Sequence, residues 1–158
     1  MNDTDHGPQL PVPPPLLALG ALVLAIALDW TPLQFLAAPV DVNIQVIAGV
    51  IFTTGAAGLL LSAVRQFRRE GTNVIPTRPA LKIVSNGPYR FTRNPMYLGM
   101  VLLLVGISLV FSLEWGIILT PVLLIAFDRL IVAKEEAYLT GKFGPDYRAL
   151  LDKTRRWL

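Results

Sequence analysis

The sequence of 158 residues contains no cysteine. That excludes disulfides, thiolate metal sites and a cysteine nucleophile within the chain. Histidine occurs once, as His6 in a polar leader, so zinc centres built from clustered histidines are excluded too, and hydrolysis through a histidine-based triad is disfavoured. Charge is scarce. Asp, Glu, Lys and Arg together make up 16% of the chain, against about 25% in a typical soluble domain. No Lys or Arg precedes Arg65. The first ten residues carry Asp3 and Asp5 with no basic residue, so the basic n-region of a signal peptide is not read here. No internal repeat is evident.

What is abundant is apolar surface. Hydrophobic residues make up 53% of the chain, and the mean hydropathy is +0.54. A soluble protein of this size could not bury that much. Four apolar stretches predict an all-α integral membrane protein of one domain over residues 1–158, with spans at 16–30, 42–64, 96–113 and 115–132 and short cytosolic helices at the C-terminus. Pro8, Pro11, Pro13, Pro14 and Pro15 make the leader an extended approach to the first span. Asp29 and Trp30 mark a membrane interface, with the first span able to continue to Leu36. Pro32 and Pro39 break the connection that follows. Gly49, Gly55, Gly58 and Ser62 offer small side chains in the second span. Gly58 and Ser62, four apart, predict a face for close helix packing, within one chain or between chains, and oligomeric state is not legible. The turn at Ser112-Leu113-Glu114 is too short to make the third and fourth spans anything but antiparallel neighbours. Beyond the fourth, 128–140 predicts helix leaving the membrane, stopped by Gly141 and Gly144-Pro145. Residues 146–157 predict a short amphipathic helix carrying Tyr147, Leu150, Leu151 and Trp157.

All fourteen basic residues fall in two regions, 65–93 and 129–156. With four spans, these regions share one side of the membrane, and the other side carries Asp29, Asp41 and Glu114. The positive-inside rule places the basic side, and by parity both termini, in the cytoplasm of a bacterial inner membrane. Topology thus accounts for the sequence pI of about 9.5 without nucleic acid.

The densest chemistry is Gly87-Pro-Tyr-Arg-Phe-Thr-Arg-Asn-Pro-Met-Tyr97, at the mouth of the third span. The hairpin of spans three and four should bring 93–97 and 129–136 to the same depth, making 77–97 and 128–158 one cytosolic region. Two readings fit. Carboxylates can hold an ammonium or ribose hydroxyls, and arginines a carboxylate, which suits a cofactor with a zwitterionic end. Equally, arginines can pair with glutamate and anionic lipid while tyrosines anchor the interface.

The pattern Gly87-x-Tyr89-Arg90-x-x-Arg93-Asn94-Pro95-x-Tyr97, then Gly106, then Glu135-Glu136-x-x-Leu139-x-x-x-Phe143-Gly144-x-x-Tyr147, resembles the isoprenylcysteine carboxyl methyltransferase family, a relative of the membrane phospholipid methyltransferases. The resemblance covers residues 77–158. It implies a membrane enzyme that uses S-adenosyl-L-methionine in a cytosolic pocket and takes a lipophilic acceptor from the bilayer, with membrane lipids as its surroundings. Carried over by position, it implies cofactor contacts from Tyr89, Arg93, Asn94, Pro95, Tyr97, Glu135, Glu136 and Leu139. The candidates for a catalytic role are Arg129 and Glu136, and no metal is implied.

Two positions depart from the pattern. Asn94 stands where the eukaryotic-type motif has histidine, and Asn cannot titrate near neutrality. Ile131 stands where an arginine often precedes the glutamates. Arg129 lies seven residues before Glu136, so on a regular helix the two share a face. Methyl transfer tolerates the lack of a histidine, because a sulfonium methyl is already activated and alignment does most of the work. The acceptor's chemistry stays open between carboxyl O-methylation and lipid N-methylation. Two other classes remain: a sterol-reductase-like enzyme using NADPH, and a non-catalytic membrane protein binding anionic lipid or a partner.

Overall fold

The computed structural model describes residues 7–32 and 42–158. Expectations that fall on Asp3, Asp5, His6, Leu36, Pro39 and Asp41 lie outside the described residues. The described chain is all helical: α1 (Pro14–Asp29), α2 (Val42–Glu70), a 3₁₀ turn (Gly87–Arg90), α3 (Pro95–Phe111), α4 (Glu114–Ala126), a π-helical stretch (Phe127–Val132), α5 (Ala133–Phe143) and α6 (Pro145–Lys153). One isolated bridge, Thr92 to Arg155, is the only extended pairing among the described residues.

Prolines set three of the α-helix starts. Pro14, Pro95 and Pro145 (the last in α6) each sit in the first helical turn, where a missing N–H costs nothing and φ is already helical. α3 stops where Ser112 takes a left-handed φ of 56°, and α4 begins two residues later, which makes the expected tight hairpin. At that end Asp29 caps α4. Its Oδ1 accepts from the Glu114 N–H at 3.0 Å and its Oδ2 from the Trp115 N–H at 3.3 Å, satisfying donors that a helix start leaves unpaired. The acidic residues at the two helix ends thus lie together, away from the basic regions.

Among the described residues two helices are long and apolar enough to cross a membrane: α2, with 29 residues, and the continuous helix Glu114–Phe143, with 30. The apolar helices α1 and α3 have 16 and 17 residues. Leu19, Val23, Ile44, Ile47, Ile51 and Ile125 point outward, a surface suited to lipid and unsuited to water.

The most extensive packing joins α2 to α3, and the contact is built from small residues seven apart. Gly49, Ala56 and Ala63 are buried on α2; Gly99 and Gly106 are buried on α3. A Cβ at Gly106 would stand 2.6 Å from the Thr53 nitrogen and 3.0 Å from the Gly49 carbonyl oxygen, and one at Gly49 would stand 2.8 Å from the Val110 nitrogen. The two backbones therefore approach to a distance only glycine allows. Gly58 and Ser62 do not form a packing face within the chain among the described residues. A Cβ at Gly55 or Gly58 meets nothing, and Ser62 is exposed, because the seven-residue series turns 49, 56 and 63 inward and leaves these outside.

Three boundaries differ from expectation. α2 runs on past Val64 to Glu70. α5 passes through Gly141 and ends only at Gly144, whose φ is +55°. α6 ends at Lys153, so Trp157 is not on an amphipathic helix; residues 154–157 run extended beside Thr92 instead.

Candidate functional site

Gly87 takes a φ of +62° and opens the 3₁₀ turn that carries Tyr89 inward. Tyr89 is buried with Ala63 and Val84, and its ring tilts against Phe67 with centroids 5.0 Å apart. Burial, and next the charge of Glu135, push its phenol up from the ordinary value. It stays protonated and offers an O–H donor at any physiological pH.

The chain then turns into α3. Asn94 precedes the helix, Pro95 starts it, and Tyr97 points from its first turn at the hairpin partner. The Tyr97 hydroxyl donates to Glu135 Oε1 at 2.5 Å, joining the two motifs across 38 residues of sequence. Behind it the Tyr97 ring stacks on Phe127 with centroids 5.2 Å apart, which fixes the direction of the hydroxyl. Among the described residues no donor meets Glu135 Oε2, so this oxygen is available to a ligand.

Glu136 faces the other way. Arg93 donates to its Oε1 from Nε at 3.3 Å and from Nη2 at 3.0 Å. Arg156 donates to Oε1 from Nε at 3.2 Å and to Oε2 from Nη2. The same Arg156 reaches Asp128 through Nη1, at 3.1 and 3.3 Å from the two carboxylate oxygens, and Trp157 Nε1 donates to Asp128 Oδ1 at 3.0 Å. Hydrogen bonding and charge from Glu136, reinforced by Asp128, push the Arg156 guanidinium up from its ordinary value. Arg93 also donates to the carbonyls of Leu151 and Thr154. The main chain completes the lock. The Arg93 N–H donates to the Arg155 carbonyl at 2.9 Å, while Thr92 Oγ1 and Asn94 Nδ2 donate to that of Arg156 at 3.0 and 2.9 Å.

The π-helical stretch explains why Arg129 is absent from this cluster. Its side chain is 81% exposed, and its nearest acidic contact is a 3.9 Å approach to neighbouring Asp128. The seven-residue argument assumed a regular α-helix. A π turn takes up an extra residue, so positions eight apart come to one face. Asp128 and Glu136 align, and one guanidinium spans both. The expected meeting of Arg129 with Glu136 is therefore corrected to a meeting of Arg156 with Glu136.

One cavity of about 530 Å³ gathers the rest, within the range of about 300–1,000 Å³ usual for small-molecule sites. Tyr89, Arg93, Asn94, Pro95, Tyr97, Glu135 and Leu139 all line it, while Glu136 stands behind the wall. Most of the remaining lining is apolar, from Leu60, Val64, Phe67, Val84 and Met100 among others. Tyr147 adds a buried phenol, and Tyr138 lines the wall while accepting a 3.3 Å hydrogen bond from the Ala80 N–H. Sequence reasoning missed Asp128, Tyr138 and Arg156. The signals were a lone carboxylate closing an apolar run and an Arg-Arg-Trp triplet that the residues flanking the first motif could capture.

The sequence model of the phospholipid methyltransferase family matches residues 44–146. A protein of Haemophilus influenzae described as uncharacterized is 39% identical over 66 residues, which is 40% of this chain and the whole of that protein. No solved structure matches. The family match spans well over half of the chain and includes both motifs that meet at Tyr97 and Glu135. The chain belongs to the phospholipid methyltransferase family, which implies a membrane protein with methyltransferase activity.

Proposed function

We propose that this protein is an S-adenosylmethionine-dependent methyltransferase that takes a lipophilic acceptor from the bilayer and methylates either a carboxyl oxygen, as on an isoprenylcysteine, or a lipid nitrogen. The observation that carries this reading is the Tyr97–Glu135 hydrogen bond on the wall of a cavity shared by seven residues of the two motifs. The site fits the donor: the cavity volume suits a small molecule, Glu135 can accept from an ammonium or ribose hydroxyls, and Tyr89 and Tyr147 add phenols. When bound, the donor supplies an electrophilic methyl on a sulfonium.

The residues of this chain have distinct tasks. Glu135 and Tyr97 hold the polar end of the cofactor. Apolar lining keeps water from the reaction line. Glu136 is clamped by Arg93 and Arg156, so it fixes α5 and the Arg93 backbone; its role is positioning. A carboxylate acceptor needs no base. An amine acceptor needs one group to take its proton, and Glu135, facing the cavity, is placed for that. Asn94 is tied to the Arg156 carbonyl, a role that involves no proton transfer. The family match does not favour the NADPH-dependent and non-catalytic alternatives.

The proposed topology has α1, α2, α3 and α4 all crossing the membrane, with both termini and the cavity on the cytoplasmic side. Single cysteines test this cleanly in a chain that has none. A cysteine at Ser112, in the α3–α4 turn, is expected to react with a membrane-impermeant maleimide added outside intact cells. One at Thr77, on the cavity side, is expected to react only after lysis. The opposite pattern would invert the orientation, and reaction at both sites from outside would remove the four-span arrangement. Calorimetric titration with S-adenosylhomocysteine and, separately, NADPH tests the donor. Heat is expected with the first alone.

A further inference from the structure

The stretch ahead of α1 and the first turn of α1 lie outside the family match, yet they form part of the cavity. Pro8, Pro13, Pro14 and Pro15 line it, and Pro8 and Pro14 are buried. The stretch is held at both ends. Leu10 packs on the core cluster that contains Tyr97 and Val101, as do Met100 and Trp157. Gly7 presses on the loop after α2 so closely that a Cβ would stand 2.7 Å from the Arg78 carbonyl carbon. The segment therefore runs from the α3 side of the cavity to the loop at Thr77-Arg78. The four lining prolines fix the backbone φ at their positions and remove the N–H donors there.

We propose that residues 7–15 form the acceptor-selecting wall of the cavity: an apolar, proline-stiffened face that favours acceptors whose reactive group is flanked by hydrocarbon over small polar acceptors, while the polar end of the cofactor lies at Tyr97 and Glu135. The proposal rests on the methyltransferase reading for its meaning, while its test does not depend on that reading. A wall of this kind does two things for transfer to a lipid-derived nucleophile. It leaves few hydrogen-bonding partners for water beside the reaction line. It also offers the acceptor chain a surface already ordered before binding, which lowers the cost of binding.

The probe is a single cysteine at Met100, which lines the cavity and packs on the same core cluster as Leu10. Its modification is followed with two reagents, a sulfonated maleimide and N-octylmaleimide. In the full chain the octyl reagent is expected to react much the faster. Deleting residues 2–12 is expected to speed the sulfonated reagent by about ten-fold or more, as a buried site becomes freely open, and to shrink the preference accordingly. Gly7→Val, which cannot keep its contact with Arg78, is expected to shift the ratio in the same direction in a chain of full length. An unchanged reagent ratio in both variants overturns the wall, whatever the cavity binds. S-adenosylhomocysteine titration of the full chain is run in parallel: no binding there would remove the methyl-donor reading, and the maleimide ratio would still decide the wall.

Discussion

Glu135→Gln is expected to lower the affinity for S-adenosylhomocysteine by about ten- to a hundred-fold, the equivalent of losing a charge-assisted hydrogen bond of roughly 1.5–3 kcal/mol. The glutamine keeps the shape of the side chain but removes its charge. It also turns an oxygen that could accept from the ligand into an amide that competes for the same partners. Tyr97→Phe tests the same contact from the other side. The ring keeps its stacking on Phe127, so only the hydroxyl that donates to Glu135 is lost. Glu135 then loses the hydrogen bond that orients it, and a smaller fall in affinity is expected. Because the two groups touch, the double variant should lose less than the sum of the single losses. Additive losses, or wild-type affinity in both well-folded single variants, would separate the hydrogen bond from the binding site.

Arg156→Ala is expected to have the largest effect on the folded state. The guanidinium bridges two carboxylates, of which only Glu136 has a second cation in close contact. Glu136 retains Arg93, while Asp128 retains Trp157 and the 3.9 Å approach of exposed Arg129. Breaking a fully buried pair costs about 3–5 kcal/mol. Arg156 is 37% exposed, so solvent screening reduces the expected loss to roughly 1–3 kcal/mol. Arg156→Lys restores the charge but not the fork that reaches Asp128 and Glu136 together, and should recover only part of the loss. The damage should spread to the site. With Glu136 released on one side, Arg93 and the start of α3 lose their anchor, so cofactor affinity should fall along with thermal stability. Stability lost with affinity intact would mean that the clamp serves the fold alone. Arg129→Ala is the internal control, since that side chain is exposed, and little change is expected.

These two predictions also show where the sequence was legible and where it was not. The hairpin of α3 and α4 could be read because helix length and a short turn leave one arrangement, and that arrangement is what brings Tyr97 to Glu135. The placement of Arg129 could not be read. It depended on a regular helix, and the π-helical stretch Phe127–Val132 changes the face by an amount that no apolar periodicity reveals inside a uniformly hydrophobic run. The tail was misread for a related reason. Residues 154–157 look amphipathic in isolation, but the chain ends its helix at Lys153 to hydrogen-bond with Arg93, Thr92 and Asn94, a tertiary gain invisible to local pattern. On α2 the four-residue spacing of Gly58 and Ser62 stands out in the sequence, but the contact within the chain uses the seven-residue spacing of Gly49, Ala56 and Ala63. Only the second matches the spacing of Gly99 and Gly106 on the partner helix. The leader's role in the cavity wall was hidden because proline-rich sequence has no hydrophobic period to follow.

Methyl transfer itself decides the central claim. S-Adenosylmethionine carrying a radiolabelled methyl group is incubated with the purified protein and membranes of its own source, with Glu135→Gln run in parallel. Label is expected in the organic-extractable fraction with the wild-type protein and at strongly reduced levels with the variant. A base-labile product identifies a methyl ester, and a base-stable one a methylated nitrogen. Label confined to water-soluble products, or equal organic label with Glu135→Gln, would contradict transfer to a bilayer acceptor at the Tyr97–Glu135 site.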